Sequence, residues 1–175
     1  MTQTGTRLVL HSAGITLIPL QEPEERLYAA GDKKLLTLLG MPLHSYSLPV
    51  ELPHVIQSFI LPLFKREPSM YLFYTSWLIV DSSTQQIIGD LSFKGRPNRR
   101  GRVEVGYGIF EEFRNKGCMT KALQTLCDWA VEQPAVREVT AETLITNVAS
   151  ARVLEKNDFR PYTKRGLFKY WIKYV

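Results

Sequence analysis

The sequence predicts a mixed α/β domain folded around one sheet, and three observations predict it. Apolar and polar residues alternate over several short runs. One long stretch, Lys116–Glu132, instead repeats its apolar residues at spacings of three and four. The runs are ordered as an antiparallel meander, then strand–helix–strand, then a helix and two closing strands, with no repeat or linker between them.

Arg7–His11 and Ile15–Pro19 read as two short strands joined at Ala13-Gly14. Pro23–Leu39 reads as a helix whose apolar face (Leu27, Leu35, Leu36, Leu39) is interrupted at Gly31-Asp32. Met41–Leu52 is a proline-punctuated loop, and Pro53–Lys65 is helical in pattern, with Pro62 expected to kink or shorten it. Tyr71–Val80 and Gln86–Lys94 are predicted strands around the polar turn Asp81–Thr84, and Arg102–Phe110 is a third. In the long helix, Met119, Ala122, Leu123, Leu126, Cys127 and Ala130 form one stripe, and Gln133-Pro134 stops it. Glu138–Leu144 is a strand, Asn147–Asn157 a short helix, and Pro161–Thr163 with Phe168–Tyr174 a closing pair.

A chain of 175 residues, 45% hydrophobic and 22% charged, is one ordinary globular domain over residues 1–175. No apolar run reaches the roughly 18 residues needed to span a bilayer. Met1–Thr6 is polar with no apolar core behind it, so no targeting segment is expected. Cys118 and Cys127 fall within one predicted helix and point different ways, which excludes a disulfide framework; no Cys/His cluster has metal-ligand spacing. A reducing cytoplasm is the expected compartment, with no metal and no membrane contact. The net charge of +5 favours anionic partners. Five of the cations, Lys94, Arg96, Arg99, Arg100 and Arg102, crowd the turn KGRPNRRGR. That turn is a solvated hairpin tip or an electrostatic patch for RNA or the ribosome; it lacks the interleaved aromatics of a single-strand binder.

The most informative stretch is Val103–Thr120, VEVGYGIFEEFRNKGCMT. A strand runs into a cationic turn containing glycine, and the turn opens directly into a helix. First-turn N–H groups have no intrahelical partner and lie at the positive end of the helix dipole, so the place suits a phosphate or pyrophosphate. Within the strand, Val103, Val105, Tyr107 and Ile109 share one face and Glu104, Gly106 and Gly108 the other. A carboxylate beside two glycines predicts an open groove where a ligand approaches backbone.

These residues resemble the GNAT superfamily of acetyl-CoA-dependent N-acetyltransferases, whose motif Gln/Arg-x-x-Gly-x-Gly/Ala is matched by Arg114, Gly117 and Met119. A second block, TNVASARVLEKNDF (Thr146–Phe159), resembles the family's downstream Asn-x-x-(Ala/Ser) helix. The wording of both blocks is closest to the ribosomal-protein N-terminal acetyltransferases of Rim type. The resemblance implies a single twisted, mostly antiparallel sheet with a parallel strand–helix–strand unit for the cofactor, flanked by helices. It implies acetyl-CoA as cosubstrate, its pyrophosphate cradled by the N–H groups of Asn115, Lys116, Gly117, Cys118 and Met119, with Thr120 completing the turn and Arg114 and Lys116 adding charge. Asn147 and Ser150 would border the pantetheine arm and thiol. A backbone N–H near Ile109 or Phe110 would meet the acetyl carbonyl.

Glu104 matches the family's strand-borne glutamate, a general base in some members; a salt bridge to Arg102 or Lys94 is the alternative. Three departures stand out: Met119 is larger than the usual small residue, Asp158 replaces a glycine before Phe159, and Leu154 stands where many members carry a tyrosine general acid. The implied reaction is direct attack of a primary amine on acetyl-CoA, the acceptor being a protein N-terminal α-amine. A small-molecule amine acetyltransferase and a catalytically inactive acyl-CoA-binding module are the alternatives. His11, His44 and His54 have no partner pattern; His44 lies in the loop expected to wall the acceptor side. Tyr170, Trp171 and Tyr174 either pair across a dimer edge or are buried, which leaves monomer and homodimer both open.

Overall fold

The computed structural model describes residues 7–174; the reading of Met1–Thr6 lies outside them. The strands are β1 (Leu10–Ser12), β2 (Ile15–Pro19), β3 (Trp77–Asp81), β4 (Ile87–Phe93), β5 (Arg102–Ile109), β6 (Glu138–Leu144), β7 (Arg160–Arg165) and β8 (Phe168–Tyr174). The α-helices are α1 (Glu22–Ala29), α2 (Lys34–Leu38), α3 (Leu52–Val55), α4 (Leu61–Arg66), α5 (Cys118–Val131) and α6 (Val148–Lys156). All eight strands form one sheet in the order β1-β2-β3-β4-β5-β6-β8-β7. Every neighbouring pair is antiparallel except β5 and β6, which α5 connects in parallel.

The sheet is packed on both faces. On one, the apolar stripe of α5 (Met119, Ala122, Leu123, Leu126, Ala130) and Leu154 of α6 meet Trp77, Ile79, Leu91, Phe93, Val103, Val105, Val139 and Trp171. On the other, α1 to α4 and the loop between α2 and α3 bring Tyr28, Leu35, Leu36, Met41, Ile56, Ile60 and Leu61 onto Leu78, Val80 and Ile87. Pinning α1 is the Arg7 guanidinium, whose Nη1 and Nη2 donate to the two Glu24 carboxylate oxygens at 2.8 and 2.6 Å. Glu24 also accepts from the Gln21 N–H at 2.7 Å, closing a capping box at the helix start.

Several element boundaries differ from the sequence expectation, each for a local reason. The helix expected over Pro23–Leu39 is two helices: the chain turns at Gly31, and the Asp32 N–H closes onto the Leu27 carbonyl at 2.9 Å. Ahead of Pro62 the chain widens into a π-helical turn over Ile56–Ile60, where the Leu61 N–H reaches the Ile56 carbonyl. Pro62 then falls in the first turn of α4, where no N–H is required. The strand expected from Tyr71 begins only at Trp77, because Pro68–Phe73 coils into 3₁₀ turns. The first strand lies at Leu10–Ser12, later than Arg7–His11. The last strand, β8, is interior rather than an edge: β7 covers it, Trp171 is buried and Tyr174 is exposed. No dimer edge forms there.

Candidate active site

The site forms where β5 and β6 part. Their parallel pairing runs only from Arg102↔Glu138 to Val105↔Ala141, although β5 continues to Ile109 and β6 to Leu144. Beyond Val105 the two strands diverge into a cleft.

Which backbone groups face that cleft follows from the β4–β5 ladder. The Phe110 N–H donates to the Ile88 carbonyl at 2.9 Å, and the Lys94 N–H to the Glu104 carbonyl at 2.8 Å. The register between these ends is continuous, through Asp90↔Gly108 and Ser92↔Gly106. Antiparallel ladders alternate, so even-numbered residues of β5 direct their N–H groups at β4 and odd-numbered ones away from it. The Tyr107 and Ile109 N–H groups therefore point into the cleft. Of the two donors expected from sequence, Ile109 and Phe110, the Phe110 N–H is committed to β4, and Tyr107 takes its place.

At the same end of the sheet, Glu111–Phe113 makes a 3₁₀ turn and the chain passes through Asn115 (φ 61) and Gly117 (φ 74) into α5. Two left-handed residues within three positions curl the backbone into a concave loop whose N–H groups converge. From Asn115 through Thr120 these N–H groups have no backbone acceptor among the described residues; the first helical bond is Lys121 N–H to Gly117 carbonyl, at 3.2 Å. A Cβ built on Gly117 meets nothing within 4 Å, so the space above the loop is open. Arg114, Asn115, Lys116 and Gly117 are exposed, and the Lys116 ammonium lies 5.1 Å from the centre of the Phe113 ring. The bulk of Met119 does not obstruct the loop as its motif position suggested. Its side chain is buried in the α5 core, leaving only its N–H on the loop side. This row of donors fits a pyrophosphate.

The start of α6 borders the cleft. Asn147 is its N-cap, the side-chain oxygen accepting from the Ser150 N–H at 3.0 Å and leaving the amide nitrogen free. The Ser150 hydroxyl is 2.8 Å from the Tyr107 hydroxyl. Burial pushes the Tyr107 phenol up to about 12, against the smaller opposing effect of its bond to Ser150, so the pair keeps its protons at neutral pH. Leu154 is fully buried and belongs to the core.

On the opposite face, Glu104 forms an ion pair with Lys94 across β4 and β5, while Arg102 pairs with Glu138 at 2.7 Å. Glu104 also lies in the paired part of β5, below the cleft. At about 3.3 Å per residue it is about 10 Å along the strand from Tyr107 and about 17 Å from Ile109. Closer to the cleft on that face is Asp90, which stands directly across from Gly108. A Cβ on Gly108 would lie 3.7 Å from Asp90 Oδ1, so the glycine leaves the carboxyl uncovered. Burial pushes the Asp90 carboxyl up to about 7, moderated by the nearby Tyr28 hydroxyl.

The sequence reading missed both Tyr107 and Asp90. Tyr107 was assigned to a strand face without a role. Asp90 had a signal, a single acid inside the apolar run Ile87–Phe93, but nothing to say which way it faces.

The remaining groups are structural. The His44 Nδ1–H donates to the Pro42 carbonyl at 2.9 Å and Nε2 accepts from the Ile87 N–H at 3.0 Å, which fixes a neutral tautomer in the loop. Burial pushes the Cys127 thiol up to about 12. Among the described residues no group of three or more His, Cys, Asp and Glu could hold a metal ion, and no helix is long and apolar enough to cross a membrane. Of the basic turn, Lys94, Arg96 and Arg102 pair with Glu104, Glu67 and Glu138, while Arg99 and Arg100 are exposed.

Comparison with known proteins agrees with this geometry. The family model for the acetyltransferase (GNAT) domain matches residues 15–160. The N-acetyltransferase YjdG of Bacillus subtilis is 33% identical over 99 residues, 57% of this chain and 59% of that protein. The N-acetyltransferase p20 of Bacillus licheniformis is 26% identical over 91 residues, 52% of this chain and 49% of that protein. The chain thus spans about half the length of these relatives. Among solved structures, RimL, a ribosomal L7/L12 α-N-protein acetyltransferase in complex with coenzyme A, superposes with a TM-score of 0.67 at 19% identity, over 96% of this chain and 98% of that one. The ribosomal-protein-S5-alanine acetyltransferase of Vibrio fischeri gives 0.68 at 17%, over 95% and 96%. The sheet order, the parted parallel strands and the family match together show that this chain belongs to the GNAT acetyltransferase family.

Proposed function

We propose that this chain transfers the acetyl group of acetyl-CoA to a primary amine by direct attack, and that the amine is the N-terminal α-amine of a protein. The observation that carries the reading is the cleft between β5 and β6, bordered at one end by the free N–H groups of Asn115 to Thr120. The cosubstrate supplies an activated acyl carbon and a thiolate leaving group; the protein has to hold, polarise and protonate. The loop before α5, with Arg114 and Lys116, would bind the pyrophosphate. Asn147, through its free amide nitrogen, would hold the pantetheine arm. The N–H groups of Tyr107 and Ile109 would stabilise negative charge on the thioester oxygen. Ser150, backed by Tyr107, would deliver a proton to the departing sulfur, a role that Leu154 cannot take. Glu104 would act only through intervening water and in competition with Lys94.

Proton availability favours an α-amine. At pH 7 roughly one α-amine in ten is unprotonated, against about one lysine amine in two or three thousand. Two of the superposing structures are acetyltransferases of ribosomal proteins, which supports the same acceptor class. The reading also puts the chain in the cytoplasm. A small-molecule amine of depressed pKa fits the same site, and the Glu104–Lys94 ion pair favours a second reading, an acyl-CoA-binding module without turnover.

Calorimetric titration with acetyl-CoA and with CoA tests the proposal, followed by acetylation of a panel of N-terminal peptides and simple amines. Micromolar binding that disappears in Gly117→Glu, with turnover on a peptide, supports it. Binding with no turnover on any amine selects the binding module, and no binding to either nucleotide overturns both.

A further inference from the structure

The face of the sheet opposite α5 holds a polar cluster that the acetyl-transfer reading does not use. Asp90 makes no ion pair with any described residue, the Tyr28 hydroxyl stands beside it, and it is largely enclosed, meeting solvent only in part. From α1, Tyr28 faces it. That side chain is fully buried, and its hydroxyl has no hydrogen-bond partner of ordinary geometry. Packed on Tyr28, with ring centres 5.8 Å apart, is Tyr46 of the loop between α2 and α3, whose hydroxyl is buried and unpartnered as well. Buried hydroxyls and carboxyls in folded proteins nearly always have partners. Here two phenols on adjacent elements have none of ordinary geometry, and the carboxyl has the Tyr28 hydroxyl beside it. The nearest cation along β4, Lys94, is held by Glu104.

The cluster has a position and a sign. It is acidic, offers several oxygens, and is reached over Gly108, where no side chain of β5 covers the carboxyl. It lies beside Tyr107 and Ile109, whose N–H groups face the cleft from which an acyl group would be presented. A group with several N–H donors and one positive charge satisfies it; a primary ammonium is such a group. We propose that Asp90, with the Tyr28 hydroxyl beside it, is the subsite that receives the acceptor's ammonium group and takes one proton from it. The carboxylate accepts that proton and leaves a neutral amine. The nitrogen lone pair then forms the C–N bond, the C–S bond breaks, the second nitrogen proton ends on sulfur, and Asp90 returns its proton to solvent. Glu104 is a poorer candidate because it lies farther from the cleft and is already paired.

A carboxyl that titrates near neutrality is suited to this exchange. The other titratable groups around Asp90 are Glu25 and Tyr28 on α1 and Tyr46 and His44 on the loop; its cross-strand neighbours Leu78 and Gly108 do not titrate. Glu25 is buried, and the charge of Asp90 adds a small upward push to its carboxyl.

The inference rests on the acetyl-transfer reading, and two measurements separate their fates. The first needs no turnover: a ¹³C NMR titration of the aspartate carboxyls, with the Asp90 signal identified by its loss in Asp90→Asn, without and with butylammonium chloride. The expected result is a downward shift of the Asp90 midpoint that tetramethylammonium, which has no N–H donor, does not reproduce. An unchanged midpoint overturns the subsite. The second is the pH profile of kcat/KM with a peptide acceptor. Asp90→Asn should lower it at least 100-fold and remove the limb near neutrality, with acetyl-CoA affinity unchanged. Gly108→Ala, whose added methyl makes only ordinary contact with the carboxyl, should raise the KM for the amine with kcat less affected. Turnover and a pH profile like the wild type's in Asp90→Asn overturn the inference while the transfer reading stands. A midpoint shift in a protein that acetylates no amine supports the subsite while the transfer reading falls.

Discussion

The two faces of the sheet do different work by different means. On the α5 face, the packing is mainly apolar, and the polar groups at the cleft are backbone N–H groups at a loop and a strand end together with the Tyr107 and Ser150 hydroxyls. On the α1–α4 face, buried carboxyls and phenols interrupt the apolar packing. Glu25 is fully buried and accepts from the Ser76 hydroxyl at 2.6 Å and the Ser76 N–H at 3.1 Å, with the Thr75 hydroxyl 2.9 Å away. Thr75 Oγ1 is also 2.7 Å from the Leu20 carbonyl. One hydroxyl proton cannot serve both acceptors, an arrangement that a protonated Glu25 completes. Backbone donors survive most substitutions of their own side chains, whereas a side-chain cluster is altered by each one. The α5 face should therefore tolerate change except at its glycine, and the opposite face should be sensitive to both sequence and pH.

The largest effect expected is at the glycine. Gly117→Glu places a bulky anion in left-handed backbone at the mouth of the donor row and should weaken CoA binding by at least 100-fold in calorimetry. Cys118→Ala, which leaves the backbone as it is, should bind normally. Equal losses in the two variants would break the distinction between backbone and side-chain recognition.

Next is the closeness of β4 and β5 under the site. A Cβ on Gly89 would lie 2.3 Å from the Gly108 carbonyl oxygen and 2.9 Å from the Ile109 Cα, both of them backbone. Gly89→Ala must push the strands apart, so a loss on the order of 3 kcal/mol is expected in denaturant melts, toward the upper end of single-substitution effects.

The acidic face makes a prediction of definite sign. Burial raises Glu25 to about 7, against the lowering effect of its hydrogen bonds from Ser76 and Thr75, and raises Asp90 to about 7. Both shifts lie above the ordinary carboxyl values, so the unfolded chain releases these protons first. Their contribution to stability is fully present below about pH 4 and is lost as pH rises to about 7, a change on the order of a few kcal/mol for the two groups. Thermal melts should show Tm falling between pH 5 and pH 7.5, and the slope should flatten in Glu25→Gln. A slope that survives in Glu25→Gln and in Asp90→Asn alike would assign the pH dependence elsewhere.

The smallest effects belong to the hydroxyl pair. Ser150→Ala and Tyr107→Phe should each lower kcat by about tenfold with acetyl-CoA affinity little changed, at the low end of general-acid contributions. Tyr107→Phe keeps the ring in the core and its N–H in the cleft, so its stability in denaturant melts should fall by no more than about 1 kcal/mol.

How much of this was legible follows the same division. The loop from Arg114 to Thr120, the stripe of α5, the Asn147 cap and all of β6 could be read from spacing, because each depends on residues a few positions apart. The fate of Met119 could not: whether its side chain rises over the loop or sinks into the core depends on where α5 rests against the sheet. Leu154 and Trp171 are likewise fixed by packing.

Sequence alone determined the family, the order of the elements, and a phosphate-sized row of donors at the start of α5. The order and the donor row follow from local periodicity, glycine placement and capping, and the family from the resemblance of two motif blocks. Tertiary structure alone decided that β5 and β6 part after Val105, that Phe110 has no N–H to offer while Tyr107 does, that Glu104 is paired with Lys94, and that Asp90 meets Tyr28 beneath Gly108. Register, strand divergence and the approach of α1 to β4 are contacts between segments about twenty to sixty residues apart. A one-residue change in register would turn each of those side chains to the other face, and no local pattern specifies it.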